Sequence, residues 1–309
     1  MSGGLSMGQM TFLWCELTGT CQLSCSHCYA DSGPAGTHGA MTGGDWKRVL
    51  DEGHYLDVRM VQYIGGEPTR HPALADLVDH ALGRGMEVEV FSNLVAVPSS
   101  MWPVFSRPGV RLATSYYSDQ AEQHERVTRV RGSHSRTTAG IIEALHRSIP
   151  LRVGVIDIED GQRAEQAVNY LRALGVTRID TDRLRQVGRG VRDTGPDLSQ
   201  LCGHCARGKV AIGPDGAVWP CVFARWMPLG NVRESSLAKI LEGERMWAAC
   251  SQLATMGRKD RDPDQLKCSP ETRCDPSKND CQPTCPPGYH AKGCWPSYYS
   301  PDEDEEEDE

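Results

Sequence analysis

Three cysteines at Cys21, Cys25 and Cys28 stand in the run TGTCQLSCSHCYADSG, with the spacing C-x3-C-x2-C. Three thiolates this close can hold three corners of a four-iron, four-sulfur cluster. A closed electron-transfer cluster takes four thiolates, so this run leaves one iron without a protein ligand, open to chemistry. A second group follows at Gly65-Gly66-Glu67-Pro68. Two glycines let the backbone come close to a ligand, and Glu67 offers an acceptor for an ammonium group. Zinc competes for the first run, because His27 with three cysteines is a legitimate zinc set. Neighbours at such spacing do not easily wrap one tetrahedral ion, however, and zinc leaves the 65–68 segment unexplained.

These residues need elements to position them. Strand-like stretches over 11–18, 58–64, 87–91, 110–116, 151–158 and 177–182 alternate with helical ones over 44–54, 72–83, 99–105, 137–146 and 163–174. Glycine-containing breaks such as Gly83-Arg84-Gly85 and Gly175 separate several units. Repeated strand–helix units imply an α/β fold, a parallel sheet with helices outside. The order alone leaves an open sheet and a partial barrel equally available. Ligands in such sheets bind at the carboxyl ends of the strands, and both motifs follow strand ends.

The chain has 309 residues and a net charge of −8. Residues 302–309 are eight consecutive acids, so the rest is close to neutral. The acidic run reads as a solvating tail over 297–309. A near-neutral body gives no basic face for nucleic acid. The first ten residues lack the charged-then-apolar pattern of a signal peptide, and no run is long and apolar enough to span a membrane. The expected location is the cytoplasm, where thirteen cysteines serve metal better than disulfides.

The C-x3-C-x2-C run with Tyr29 directly after it, followed one strand later by Gly-Gly-Glu-Pro, resembles the signature of the radical S-adenosylmethionine (radical SAM) superfamily. The resemblance implies a partial (β/α)6 barrel over residues 11–192, after a short extension at 1–10. It implies that Cys21, Cys25 and Cys28 hold a [4Fe-4S] cluster with S-adenosylmethionine at the open iron. Tyr29, Gly65, Gly66, Glu67 and Pro68 would bind the cofactor. So would Ser92 and Asn93 at the third strand end, where Leu94 replaces the family's usual glycine. Ser115 falls in a stretch similar to the family's Ser-x-Asp. Arg136, in a Gly-Ser-x-x-Arg-Thr segment, is a candidate partner for the methionine carboxylate, or a helix residue facing water. Ile156 and Ile158 read as core or as adenine wall.

Nine of the thirteen cysteines lie beyond residue 200. Residues 209–212 and 217–219 read as a β-hairpin about the turn Pro214-Asp215-Gly216. Cys205, Gly216 and Cys221 fit the first half of the SPASM or twitch extension of radical SAM enzymes. The second half is a looser match, drawn from Cys268, Cys274, Cys281, Cys285 and Cys294. The resemblance implies a small, irregular, Cys-rich SPASM/twitch-like domain over 193–296 with one or two auxiliary [4Fe-4S] clusters. Cys202 would add a ligand or sit nearby, and a structural zinc is the alternative.

The implied activity is reductive cleavage of S-adenosylmethionine to a 5′-deoxyadenosyl radical that abstracts hydrogen from a substrate. A ribosomally made peptide is the expected substrate, with a crosslink, thioether or epimerised centre as product. A small natural product such as a sugar or nucleoside is the alternative, and a non-catalytic electron-transfer protein a remote one. An external donor of the flavodoxin or ferredoxin type would supply electrons. With about ten residues before the first strand, a separate leader-recognition protein or direct binding to the barrel is expected. Glu16, Tyr63, Tyr116 and Asp157 are weak candidates for substrate contact, and Cys15 or Cys250 for returning a hydrogen atom.

Overall fold

The computed structural model describes residues 10–193, 195–203 and 205–256. Six parallel strands come first: β1 (Phe12–Thr18), β2 (Met60–Gly65), β3 (Glu87–Phe91), β4 (Val110–Tyr116), β5 (Leu151–Asp157) and β6 (Arg178–Arg183). Between them lie α1 (Gly43–Tyr55), α2 (Leu74–Gly83), α3 (Trp102–Phe105), α4 (Ala121–Thr128), α5 (Ser133–His146) and α6 (Ala164–Ala173). The strands pair in chain order, β6-β5-β4-β3-β2-β1. A doubly wound sheet reverses its order part-way; this one does not, so it winds in one sense and curves around a concave face.

Alternation along each strand sorts side chains between the two faces. On β1, Leu13, Cys15 and Leu17 are fully buried against the helix layer, while Trp14 faces the concave side. On β2, Val61 and Tyr63 point to the helices, and Gln62 and Ile64 line the interior. Helix α1 starts at a capping box, Thr42 with Asp45, and buries Trp46, Val49, Leu50 and Gly53 along one stripe.

After β6 the chain crosses back and forms β7 (Lys209–Ile212), β8 (Ala217–Trp219) and β9 (Gly230–Asn231), then α7 (Leu237–Leu241) and α8 (Glu244–Met256). The expected hairpin is present, with Gly216 at φ +83° in its turn. Its placement differs from a detached small domain. β7 lies parallel to β1, from Phe12↔Lys209 to Cys15↔Ile212, and the sheet runs on to nine strands. The division expected after residue 192 therefore does not divide the sheet. β1 would otherwise be an exposed edge, and the hairpin covers it.

Two helical boundaries also differ from expectation. α4 is an additional helix, and α5 begins at Ser133 rather than at 137. Neither has a side-chain cap, and α4 is polar throughout except Val127 and its first alanine. It buries His124, Val127 and Thr128, a stripe too polar to be read as a core face.

Candidate functional site

The concave face closes over a cavity of about 300 Å³ at the carboxyl ends of the strands. Cys21, Cys25, Cys28, Tyr29, Gly65, Gly66, Asn93 and Ser115 all line it. The loop after β1 is held from several sides. Cys21 N–H donates to Gly33 O at 3.0 Å, while Ser24 and Ser26 donate to the carbonyls of Thr128 and Val127 at the end of α4. Arg189 donates from its backbone N–H to Cys28 O, from Nε to Cys25 O at 2.9 Å, and from its two terminal nitrogens to Asp31 and to Ser32 O.

The thiols receive N–H donors of their own. Leu23 N–H lies 3.4 Å from Cys21 Sγ, Asn93 Nδ2 3.6 Å from the same sulfur, and Ser32 N–H 3.4 Å from Cys28 Sγ. Such donors favour the thiolate. Burial works the other way: it pushes the Cys21 thiol up to about 11 and the Cys25 thiol up to about 12. Only a metal that displaces the protons would make these good ligands at neutral pH. His27 stands apart from them, its ring against Tyr117 at 5.1 Å and its Nδ1 unpartnered. Burial and the charges of Arg189 and Arg192 lower its pKa to about 4.

The two glycines have a reason beyond ligand approach. A Cβ on Gly65, at φ +127°, would stand 2.4 Å from Thr18 O, and one on Gly66 would stand 2.3 Å from Thr20 O. Their backbones must pass against the start of the cysteine loop. Glu67 has local partners of its own. It is buried, and its carboxylate accepts from Asn93 N–H, Thr69 N–H, Thr69 Oγ1 and Ser92 Oγ at 2.8 to 3.1 Å. The side chain brackets the ends of β2 and β3 behind the cavity wall; neither it nor Pro68 nor Ser92 lines the cavity. Leu94, where the family has glycine, adopts φ +56° with its side chain buried, a backbone cost of roughly 1–2 kcal/mol for a residue with a Cβ.

Arg136 is exposed and donates to the carbonyls of Gly132 and Arg131 on its own helix start. The residue of that helix that reaches the cavity is Thr137. Ile156 lines the cavity; Ile158 does not. Tyr63 and Tyr116 face the helix layer, bonded to Leu77 O and to His134 and Thr138. Asp157 is exposed. Cys15 is buried in the outer core, and Cys250 on α8 packs against the same core.

Glu16 is buried beside β8. Arg225 donates to both its carboxylate oxygens, and the guanidinium lies 4.8 Å from the Trp219 ring and 5.5 Å from Tyr29. Tyr29 packs edge-on to Phe223 at 5.1 Å. The pair ties the segment after Cys221 to β1 and to the residue after Cys28. Nearby, Cys205 Sγ and Cys221 Sγ are 3.0 Å apart, with Cys202 hydrogen-bonded to Cys205. Hydrogen bonds with Cys202 and Cys221 push the Cys205 thiol up, and the proton Cys205 offers pulls Cys221 down. Cys268, Cys274, Cys281, Cys285 and Cys294 lie outside the described residues.

Several lining residues carried no sequence signal of their own. Tyr117 and His124 form one wall, with His124 Nδ1 unpartnered. On the floor, Arg152 donates to Glu89 at 2.7 and 2.9 Å, and Gln62 donates to the same carboxylate. The alternation of these polar residues with apolar ones on β2, β3 and β5 was legible, but not which face was interior.

Residues 15–179 match the family model of the Radical SAM superfamily, and residues 183–275 match that of SPASM, an iron-sulfur cluster-binding domain. This chain belongs to the radical SAM superfamily. It is 24% identical over 277 residues to a PqqA peptide cyclase of Granulibacter bethesdensis, covering 75% of this chain and 73% of that protein. A PqqA peptide cyclase of Streptomyces rochei is 28% identical over 216 residues, 65% of this chain and 57% of that one. The antilisterial bacteriocin subtilosin biosynthesis protein AlbA of Bacillus subtilis is 23% identical, with 76% and 60% covered. The last two matches cover less than two thirds of those proteins' lengths. Among solved structures, Streptococcus suis SuiB bound to S-adenosylmethionine shares the fold at a TM-score of 0.66 and 14% identity, covering 85% of this chain and 71% of that one. SuiB bound to its precursor peptide SuiA gives 0.67 and 14%, with 84% and 69% covered.

The radical SAM enzyme's cofactors are therefore a [4Fe-4S] cluster and S-adenosylmethionine, with auxiliary iron–sulfur chemistry in the SPASM region. The site fits them. Three thiols from one loop face the same space as the backbones of Gly65 and Gly66, and the buried His27 Nδ1, Ser32 Oγ and His124 Nδ1 have no hydrogen-bond partner among the described residues. Among the described residues no helix is long and apolar enough to cross a membrane.

Proposed function

We propose that this chain modifies a ribosomally made peptide by radical SAM chemistry, forming a crosslink, a thioether or an epimerised centre. The carrying observation is convergence: three thiols from one loop, the glycine backbones after β2 and Asn93 after β3 face one cavity. The peptide reading is supported by the relatives, two peptide cyclases and a bacteriocin biosynthesis protein, and by a shared fold with SuiB, whose crystal structure was solved bound to its precursor peptide.

When bound, the cluster and S-adenosylmethionine supply a 5′-deoxyadenosyl radical able to take hydrogen from an unactivated carbon. Cys21, Cys25 and Cys28 hold the cluster, and the N–H groups of Leu23, Ser32 and Asn93 share its sulfur charge. Gly65, Gly66, Asn93 and Ser115 place the cofactor, and Glu67, Ser92 and Pro68 support that wall from behind. Tyr29, Tyr117 and Ile156 help keep water out. Cys205 and Cys221 hold one auxiliary cluster together with thiols from the segment that carries Cys268, Cys274, Cys281, Cys285 and Cys294; a second cluster would use the remainder. A flavodoxin or ferredoxin in the cytoplasm supplies the electron.

Protein reconstituted without oxygen and reduced with dithionite should convert S-adenosylmethionine to methionine and 5′-deoxyadenosine, and Cys25→Ala should stop it. Turnover unaffected by that substitution would remove the enzyme mechanism. A short precursor gene beside this one, whose product gains a covalent modification on coexpression, would establish the peptide; its absence beside sugar-biosynthesis genes would favour a small substrate.

A further inference from the structure

The near-neutral body conceals a local arrangement. Residues 183–192 read RLRQVGRGVR, four arginines in ten positions. The segment leaves the end of β6 at the open side of the barrel. Arg183, Arg185 and Arg189 line the cavity. Arg192 lies close enough for its charge to act on His27, which lines it too. Among the described residues, no Asp or Glu lines the cavity.

Two of the four are committed within the protein. Arg185 pairs with Asp182 at 2.6 Å and lies over the Phe223 ring. Arg189 pairs with Asp31 at 2.7 Å while clamping the cysteine loop. The other two guanidiniums have no ion pair among the described residues: that of Arg183 donates to Ser199 O, while the backbone N–H groups of Arg183 and Arg192 donate to Asp182 and Gln186. Scattered surface arginines usually face solvent without further meaning. Here three of the four line one cavity, with Arg192 beside His27, and apart from the cysteine thiols its lining holds no acidic side chain among the described residues, so a cationic or neutral occupant would leave Arg183 and Arg192 unanswered. A guanidinium meets a carboxylate by two parallel hydrogen bonds, which fixes position as well as charge.

We propose that this arginine strap selects the substrate by a carboxylate: the peptide presents an aspartate or glutamate side chain to Arg183 and Arg192 while a neighbouring carbon enters the cavity. The inference rests on the peptide reading above. The competing acceptor is the carboxylate of S-adenosylmethionine itself, and the experiment separates the two.

Two fluorescein-labelled synthetic peptides, one bearing several glutamates and the other glutamine at the same positions, are titrated with reconstituted enzyme and S-adenosylmethionine at low ionic strength. The glutamate peptide should bind about tenfold tighter, an advantage that added salt erodes. Arg183→Gln with Arg192→Gln should bring its affinity down to that of the glutamine peptide, with S-adenosylmethionine affinity retained. Equal binding of the two peptides by the unaltered enzyme overturns the carboxylate selection and leaves the peptide reading standing. Failure of both to bind overturns it and removes support from the peptide reading as well. Loss of S-adenosylmethionine affinity in the double variant overturns it in favour of the cofactor's carboxylate.

Discussion

The two cysteine sites are built differently. The thiols of Cys21, Cys25 and Cys28 sit on one loop, fixed by the backbone of Gly33, the end of α4 and four hydrogen bonds from Arg189. Those of Cys205 and Cys221 touch at 3.0 Å, with Cys202 against them. The first site is tied to the barrel by those hydrogen bonds. The second lies at the two ends of the hairpin, thiol against thiol. Preorganisation suits a site that has to present a vacant coordination position repeatedly. A site ligated all round can take its geometry from the cluster instead.

The sharpest way to break the comparison is Cys25→Ala, which should reduce 5′-deoxyadenosine formation to background in a chromatographic assay. Cys221→Ala should instead remove about four irons per chain and the auxiliary signal from the paramagnetic resonance spectrum; loss of all iron would mean the two sites are not independent. Under the first site, Arg152→Met leaves the buried Glu89 without its cation. That should cost about 3–5 kcal/mol, read from a denaturant midpoint. Gly66→Ala puts a Cβ within 2.3 Å of Thr20 O and should cost about 2 kcal/mol, with slower iron loading.

The smallest effect is a pH dependence. In metal-free protein the Cys21 and Cys25 thiols sit near 11 and 12, against an ordinary value of 9.0. Their protonated forms are favoured by folding, so the stability they contribute is complete below pH 9 and is lost as the pH climbs through 11 and 12. Denaturant midpoints across that window should fall for the metal-free chain and fall less for Cys21→Ser with Cys25→Ser. Iron loading should flatten the slope, because the metal has already displaced the protons.

Much of the architecture was legible. The strands over 87–91 and 110–116 and the hairpin have the observed bounds, because period-two alternation and a Pro-Asp-Gly turn are local signals. α4 was not legible, since the stripe it buries is built on His124 and Thr128 and its cap is missing. At the site, the cysteines and glycines announced themselves by spacing. Arg136 and Thr137 are adjacent in sequence, yet only Thr137 reaches the cavity. Glu67 has the chemistry of an ammonium acceptor, and no local pattern announced that Ser92, Asn93 and Thr69 would donate to it.

The sequence by itself determined the cofactor chemistry, because ligand type and spacing along a loop are covalent facts. It determined the strand–helix alternation too, because hydrophobic period is local. Only the tertiary structure decided that the C-terminal hairpin closes the edge of the barrel sheet, that Glu16 meets Arg225 some two hundred residues away, and that Arg183, Arg185 and Arg189 line the same cavity as the cysteines. Those are contacts between segments distant in the chain. They exist only after the sheet has curved, and no local pattern encodes which distant side chain will answer a buried charge.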